Sequence, residues 1–316
     1  MLAAPKQILI GTRGSKLAVT QAQEVKDQII EAHPSYATSP DSISIITFKT
    51  TGDRITNKSL VEIGGKGLFI KEIEEALIAK KVDIAVHSMK DMPAFFDDRL
   101  EILSIPARKD AKDALISLKY NSISDLPSGA TIGTSSPRRA AIITNKRPDV
   151  KIINFRGNID TRIKKLKEGQ VDAIVLSVAG LKRIGLEREI KQIIDIKEML
   201  PAVGQGALAL QGRKDDQFIT DILQKINHQE SAICVDAERS FLKNINGSCN
   251  TPMAAFCQII DGKLHLRTEL LSPDGADIYQ IIKIGNLDEA VKIGREAAQQ
   301  TKENANHILQ KIAAAI

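Results

Sequence analysis

Gln7-Ile8-Leu9-Ile10-Gly11-Thr12-Arg13-Gly14-Ser15 is a short apolar run that breaks into a polar, glycine-bearing loop. From Lys16 to Ile30 the apolar residues recur at helical spacing, so the segment reads strand, loop, helix. The arrangement returns at Thr131-Ile132-Gly133-Thr134-Ser135-Ser136-Pro137-Arg138-Arg139, with Ser136 suited to cap a helix and Pro137 to its first position. A second echo joins Val82-Asp83-Ile84-Ala85-Val86-His87-Ser88 to Val171-Asp172-Ala173-Ile174-Val175-Leu176-Ser177, each an apolar strand behind a charged amphipathic helix. Between the members of each pair lies another predicted strand that ends in phenylalanine plus a cation, Ile43 to Lys49 and Lys151 to Arg156. The landmarks recur in one order at unequal offsets, which describes a repeated topology with insertions and not a solenoid.

Two βαβ lobes follow. In the first, Phe69, Ile70, Ile73 and Leu77 share one helical face, opposite Lys71, Glu72, Glu74 and Glu75, so this helix should pack on a sheet. Strands alternating with helices imply right-handed crossovers and largely parallel sheets, with ligands in crevices at the carboxyl ends of the strands. The C-terminal part changes character. Asp261-Gly262 and Pro273-Asp274-Gly275 read as hairpin turns between the β-like runs Ala254 to Ile260, Lys263 to Leu271 and Asp277 to Ile284. A long helix from about Asp288 to Ala315, burying Leu287, Val291, Ile308 and Ile312, is expected to cover that sheet. The fold class is therefore α/β: two doubly wound lobes, then an α+β domain with a three-stranded antiparallel sheet.

A chain of 316 residues accommodates two or three such lobes, at about 150 residues per domain. With 43% hydrophobic and 26% charged residues it has the material for sizeable cores, which excludes disordered and collagen-like classes. Aromatics at 3%, with no tryptophan, remove the stacking surfaces typical of single-stranded nucleic-acid binders. The net charge of +5 suits acidic small molecules as readily as nucleic acid. No run approaches the roughly 18 apolar residues of a membrane span and the N-terminus lacks a basic signal region, so a cytoplasmic address is expected. Cys234, Cys249 and Cys257 match neither a redox pair nor a zinc set, and the five histidines show no paired ligand spacing, so no metal is expected. Gly64-Gly65-Lys66-Gly67 lacks the Ser or Thr of a P-loop, and Gly204-Gln205-Gly206 opens no adequate helix for a nicotinamide site.

The basic residues Arg13, Lys66, Lys90, Arg138, Arg139, Arg156, Arg162 and Arg183 gather at loops and strand ends. Arginine's planar fork pairs two-fold with carboxylate or phosphate, and helix N-termini add oriented N–H groups. The competing reading is a solvated basic face. Asp91, directly after Lys90, would be a carboxylate in a cationic crevice, either stabilising positive charge and relaying protons or simply holding arginines in place. Cys249 lies in the polar stretch Asn246-Gly247-Ser248-Cys249-Asn250-Thr251-Pro252, an accessible place for a thiol, whereas Cys234 and Cys257 lie in apolar runs. No catalytic histidine motif adjoins Cys249, so a covalent role stays open.

Taken in order, the motifs resemble the porphobilinogen deaminase (hydroxymethylbilane synthase) family over essentially the whole chain. They are Gly11-Thr12-Arg13-Gly14-Ser15, Gly64-Gly65-Lys66-Gly67-Leu68-Phe69, His87-Ser88-Met89-Lys90-Asp91-Met92-Pro93, Gly133-Thr134-Ser135-Ser136-Pro137-Arg138-Arg139, Arg156-Gly157-Asn158, Ala179-Gly180-Leu181-Lys182-Arg183, Pro201-Ala202-Val203-Gly204-Gln205-Gly206 and Gly247-Ser248-Cys249. The resemblance implies three domains: 1–108 with a return segment 206–226, 109–205, and 227–316 with the cofactor cysteine, the first two resembling periplasmic-binding-protein lobes. It implies a covalent dipyrromethane cofactor, held by a thioether to Cys249, and head-to-tail condensation of four porphobilinogen molecules with loss of ammonia, then hydrolysis to hydroxymethylbilane. By the same resemblance Asp91 is catalytic. Lys90, Ser136, Arg138, Arg139, Arg162 and Arg183 belong with Cys249 to the cofactor, and Arg13, Ser15, Lys66 and Arg156 to the substrate. Each pyrrole unit carries an acetate and a propionate, for which an arginine-lined crevice is the expected complement.

Two positions depart from the family pattern. Glu62 stands where relatives commonly have lysine, with Lys58 near enough to compensate, and Pro137 replaces the usual leucine before the paired arginines. The implied protein is a cytoplasmic monomer acting on a small molecule, with no nucleic-acid or membrane partner. Its rival from another class is a non-catalytic anion-binding protein of the same two-lobed architecture. A DNA-binding reading is weaker, since no helix-turn-helix or basic tail stands out.

Overall fold

In the computed structural model the described residues are 5–50, 70–248 and 250–315. They form two compact units: residues 5–50, 70–108 and 207–232 in one, and 109–206, 233–248 and 250–315 in the other. In chain order the first elements are β1 (Ile8–Arg13), α1 (Lys16–Ala32), α2 (Pro34–Ala37), β2 (Ile43–Phe48), α3 (Lys71–Ile78), β3 (Ile84–Ser88) and β4 (Leu100–Ser104). Then come β5 (Asp113–Ser117), β6 (Thr131–Gly133), α4 (Pro137–Lys146), β7 (Lys151–Ile153), α5 (Ile159–Lys167), β8 (Ala173–Ser177), α6 (Val178–Arg183) and β9 (Gln192–Ile194). The chain closes with β10 (Leu208–Arg213), α7 (Gln217–Gln224), α8 (Gln229–Asn244), β11 (Met253–Ile260), β12 (Lys263–Leu271), β13 (Ile278–Gly285), α9 (Ala290–Asn304) and α10 (Asn306–Ala314).

The repeat seen in the sequence is a repeat of sheet topology. The first unit has the strand order β2-β1-β3-β10-β4 and the second β7-β6-β8-β5-β9. In each, the glycine-threonine strand pairs in parallel with both neighbours, and the strand next in line runs antiparallel to the two beside it. The sheets are thus mixed where largely parallel ones were expected. Parallel pairing is confined to three strands of each sheet, β2-β1-β3 and β7-β6-β8, and β10 and β5 enter antiparallel to their neighbours. Helices cover both faces. In the first unit Ile8 and Ile10 pack toward α1 with Val25 and Ile29, while Leu9, on the opposite side of the pleat, packs with Ile73 and Leu77 of α3.

The duplicated Val-Asp pair has a matching physical reason in both units. Asp83 Oδ2 accepts from the Leu9 N–H at 2.9 Å and Asp172 Oδ2 from the Thr131 N–H at 2.8 Å, so each aspartate clamps the start of the glycine-threonine strand, β1 or β6. In the second unit β11, β12 and β13 form the expected antiparallel sheet, with Asp261 and Gly262 both at positive φ in the first hairpin turn. The long C-terminal helix is instead two, broken at Ala305, and the expectation that Leu287 and Val291 are buried is wrong: they are 39% and 60% exposed. Ile308 and Ile312 are buried as expected. The buried face of α9 is made of small residues, Ala290, Gly294, Ala297 and Ala298, with Ile293. At Gly294 a side chain would meet Ala237 O and come within 2.7 Å of Ser240 Cβ, so the approach to α8 admits no large side chain.

Candidate functional site

In the first unit β1 ends at Arg13, and Ser15 caps α1, its Oγ accepting from the Ala18 N–H at 3.3 Å. Alongside, β3 ends at Ser88 and passes into a 3₁₀ turn, Met89–Asp91, anchored by the Met89 N–H on Ala207 O at 3.0 Å. These two strand ends border a concavity lined by Arg13, Ser15, Gln21, His87, Ser88 and Asp91. Three residues named from the sequence, Arg13, Ser15 and Asp91, therefore share one wall, and half-buried Lys90 lies in the same turn. Ser88 and Gln21, not named beforehand, hydrogen-bond each other across it at 2.9 Å. His87 is 5% exposed, and burial pushes its pKa down to about 4, opposed by the nearby acceptor oxygen of the Gln211 side chain and helped by the Arg13 charge.

In the second unit Ser136 caps α4, accepting from the Arg139 N–H at 3.4 Å. Arg138 and Arg139 are 3% and 6% exposed, and both guanidinium groups are turned onto Asp113, at the start of β5, which is fully buried. Arg138 Nη2 reaches Asp113 Oδ2 at 2.8 Å, and Arg139 Nη2 and Nε reach Oδ1 at 2.7 and 3.1 Å. Gln205 Nε2 adds a fourth donor at 3.0 Å, and backbone carbonyls of Leu200 and Val175 take the remaining Nη1 groups at 2.7 and 2.8 Å. Burial by itself would raise the Asp113 pKa. The charges of Arg138 and Arg139, with the hydrogen bonds from Arg138 and Gln205, bring it instead down to about 2. Arg138 Nε alone among these donors has no acceptor. Glu269 also feels the Arg138 charge, but burial pushes its carboxyl pKa up.

Half-buried Arg156 follows β7, Arg162 on α5 donates from Nε to Gly157 O at 2.8 Å, and Arg183 at the end of α6 approaches Gly206 O at 3.4 Å. The Gly204-Gln205-Gly206 turn is structural: Glu238 of α8 accepts from the Gly204 N–H at 2.7 Å and from the Cys257 N–H at 2.9 Å. Gly206 has φ +91° and presses on Lys109 O, where no side chain fits. Lys58, Glu62, Lys66 and Cys249 lie outside the described residues. Asp113 escaped the sequence reading because nothing in Lys112-Asp113 tells that β5 delivers it to an arginine pair 25 residues onward. Among the described residues no three His, Cys, Asp or Glu side chains gather as a metal group, and no helix is long and apolar enough to cross a membrane.

Comparison with known proteins identifies the family. The family model described as "Porphobilinogen deaminase, dipyromethane cofactor binding domain" matches residues 8–221, and that described as "Porphobilinogen deaminase, C-terminal domain" matches 232–303. The porphobilinogen deaminase of Nitrobacter winogradskyi is 43% identical over 94% of this chain and 93% of its own length. That of Paracoccus denitrificans is 43% identical over 94% of each chain, and the chloroplastic one of Oryza sativa 42% over 94% of this chain and 84% of its own. Among solved structures, the methionine-binding protein MetQ covers 70% of this chain and 88% of its own at 13% identity, with a TM-score of 0.43. Since the two family models together run through both repeated lobes and into the C-terminal sheet, and the relatives match end to end, the chain belongs to the porphobilinogen deaminase family.

Proposed function

We propose that the chain condenses four porphobilinogen molecules head to tail, releasing ammonia at each addition, and hydrolyses the product free as hydroxymethylbilane. The observation that carries this is Asp91 in one concavity with Arg13 and Ser15 at the ends of β1 and β3. Arg13 offers a guanidinium fork to a pyrrole acetate or propionate, a charged hydrogen bond worth roughly 1.5–3 kcal/mol, and Ser15 a hydroxyl beside it. Asp91 then stands over the pyrrole ring, where a fixed carboxylate offsets positive charge that develops on the ring nitrogen and carries protons between ring carbon, ring nitrogen and departing amine. Lys66 and Arg156 complete the substrate contacts in this reading.

The second unit suits a polycarboxylate group. Its arginines stand at the ends of β7 and α6 and along α4 and α5, and the buried Nε–H of Arg138 lacks an acceptor. Cys249 would anchor dipyrromethane, with Lys90, Ser136, Arg138, Arg139, Arg162 and Arg183 binding it, Arg138 and Arg139 while still paired to Asp113, through the Arg138 Nε–H and their positive charge. When bound, that group supplies the terminal pyrrole to which substrate is added. Three domains, 1–108 with 206–226, 109–205 and 227–316, belong to this reading, as does a cytoplasmic monomer without a nucleic-acid partner. Intact mass of the purified chain, then porphobilinogen consumption, tests it. A covalent excess of two pyrrole units is expected, absent from Cys249→Ala. An excess that survives that change moves the anchor elsewhere, and a loaded wild-type chain that leaves porphobilinogen intact ends the proposal.

A further inference from the structure

The first unit's concavity contains one buried titratable side chain to which the chemistry above gives no task. His87 lines it at the end of β3, and its Nε2 makes no hydrogen bond of normal geometry. One other buried polar atom nearby shares that condition, Oε1 of Gln211. In the antiparallel register of β3 and β10, Ala209 lies opposite His87 and Gln211 opposite Ala85, so the two side chains leave the same face of the sheet as diagonal neighbours. Gln211 is not free to turn. Its Nε2 donates to Glu74 Oε1 on α3 at 2.7 Å, which commits the carboxamide nitrogen to the helix and leaves the oxygen as the group available to the imidazole.

A ring nitrogen facing a carboxamide oxygen must carry the hydrogen, because two acceptors repel. A neutral imidazole with its proton at Nε2 keeps a lone pair at Nδ1. Arg13 lines the same concavity and in this reading faces a ligand carboxylate, while the aminomethylpyrrole substrate brings N–H donors of its own along with its carboxylates.

We propose that His87 is a substrate-positioning residue, held by the Glu74–Gln211 pair as the Nε2–H tautomer so that Nδ1 accepts an N–H of porphobilinogen in the Arg13 cleft. The inference rests on the porphobilinogen reading and adds to it a contact that the carboxylate-binding arginines do not provide. Arginines recognise only the acidic arms of the substrate. An acceptor at a set height above β3 would fix the ring's rotation about those arms, which is what brings a reacting carbon toward Asp91. Burial keeps His87 neutral at pH 7, the form this contact requires.

Two measurements on the full-length, cofactor-loaded protein decide it. Imidazole ¹⁵N shifts of wild-type His87 at pH 7 should show the Nε2–H tautomer, and Glu74→Gln, which frees Gln211 to rotate, should change that pattern. In steady-state kinetics with porphobilinogen, His87→Phe keeps a ring but no acceptor and should raise KM about tenfold with kcat within threefold. His87→Asn, whose Oδ1 stands near the Nδ1 position, should return KM to within threefold of wild type. A proton on Nδ1 in the wild type, or an unchanged KM in His87→Phe, overturns the proposal; should the Phe variant not fold, the wild-type spectrum alone decides. Wild-type protein that does not consume porphobilinogen would sink the underlying reading together with this one, whereas an active wild type with an indifferent His87→Phe sinks this one only.

Discussion

Replacing Asp113 by Asn tests whether the buried arginine pair is held by one carboxylate. Asn keeps the shape and loses the charge, so Arg138 and Arg139 retain a poor acceptor and no counter-ion among the groups that hydrogen-bond them at 2.7–3.1 Å. Two figures bound the loss. The fall of the Asp113 pKa from 3.8 to about 2 corresponds to about 2 kcal/mol in favour of the charged form. Removing one partner from a buried ion pair typically costs about 3–5 kcal/mol, because the remaining charge stays buried. The second effect dominates, since two guanidinium groups are stranded rather than one, and a loss of about 3–5 kcal/mol at pH 7 is expected. Because the folded pKa lies below the unfolded one, the contribution is complete above about pH 4 and fades as pH falls toward 2. Variant and wild type should therefore converge in acid. The chain has two units, so the loss is best read by hydrogen exchange at β5 and β8 amides in moderate urea and not from one global transition. Asp149→Asn is the control: its bond to Arg147 at 2.7 Å is as short but lies at the surface, where solvent screens it, so hydrogen exchange should be unchanged. A difference below 1 kcal/mol for Asp113→Asn at pH 7, or a gap undiminished at pH 2, refutes the reasoning.

Asp91→Ala should keep the secondary structure and the covalent mass excess while turnover with porphobilinogen drops about 10²–10⁴-fold; a rate near wild type removes Asp91 from its assigned role. Gly294→Leu forces a side chain into Ala237 O and Ser240, so loss of more than about 2 kcal/mol is expected from α8 and α9 by urea unfolding, while Val291→Ser should change stability by less than about 0.5 kcal/mol. Equal effects would mean the small-residue face of α9 is not a tight contact.

Much of the fold was legible because it depends on neighbours in the chain. Ile8, Leu9 and Ile10 alternate between the two cores because β geometry has a period of two, and Ser15 and Ser136 cap helices because their side chains reach N–H groups three residues on. The candidate site was half legible. Arg13, Ser15 and Asp91 meet because strand ends in a βαβ unit must, but nothing local marked Asp113, Gln205 or Gln211 as partners. The error at Leu287 and Val291 has the same origin: an apolar residue at helical spacing says which face is apolar, not whether the neighbouring helix leaves room for it.

From the sequence alone came the repeated glycine-threonine and Val-Asp landmarks, the helix caps and the hairpin turns, all of them consequences of backbone preference and side-chain period within a few residues. Only the tertiary structure decided that β5 and β10 run against their neighbours, that Arg138 and Arg139 share one buried aspartate, and that His87 and Gln211 face each other with unmet hydrogen bonds. Those outcomes depend on which distant groups burial brings within about 3 Å, where the loss of water turns charge and hydrogen bonding from weak preferences into the terms that set structure and chemistry.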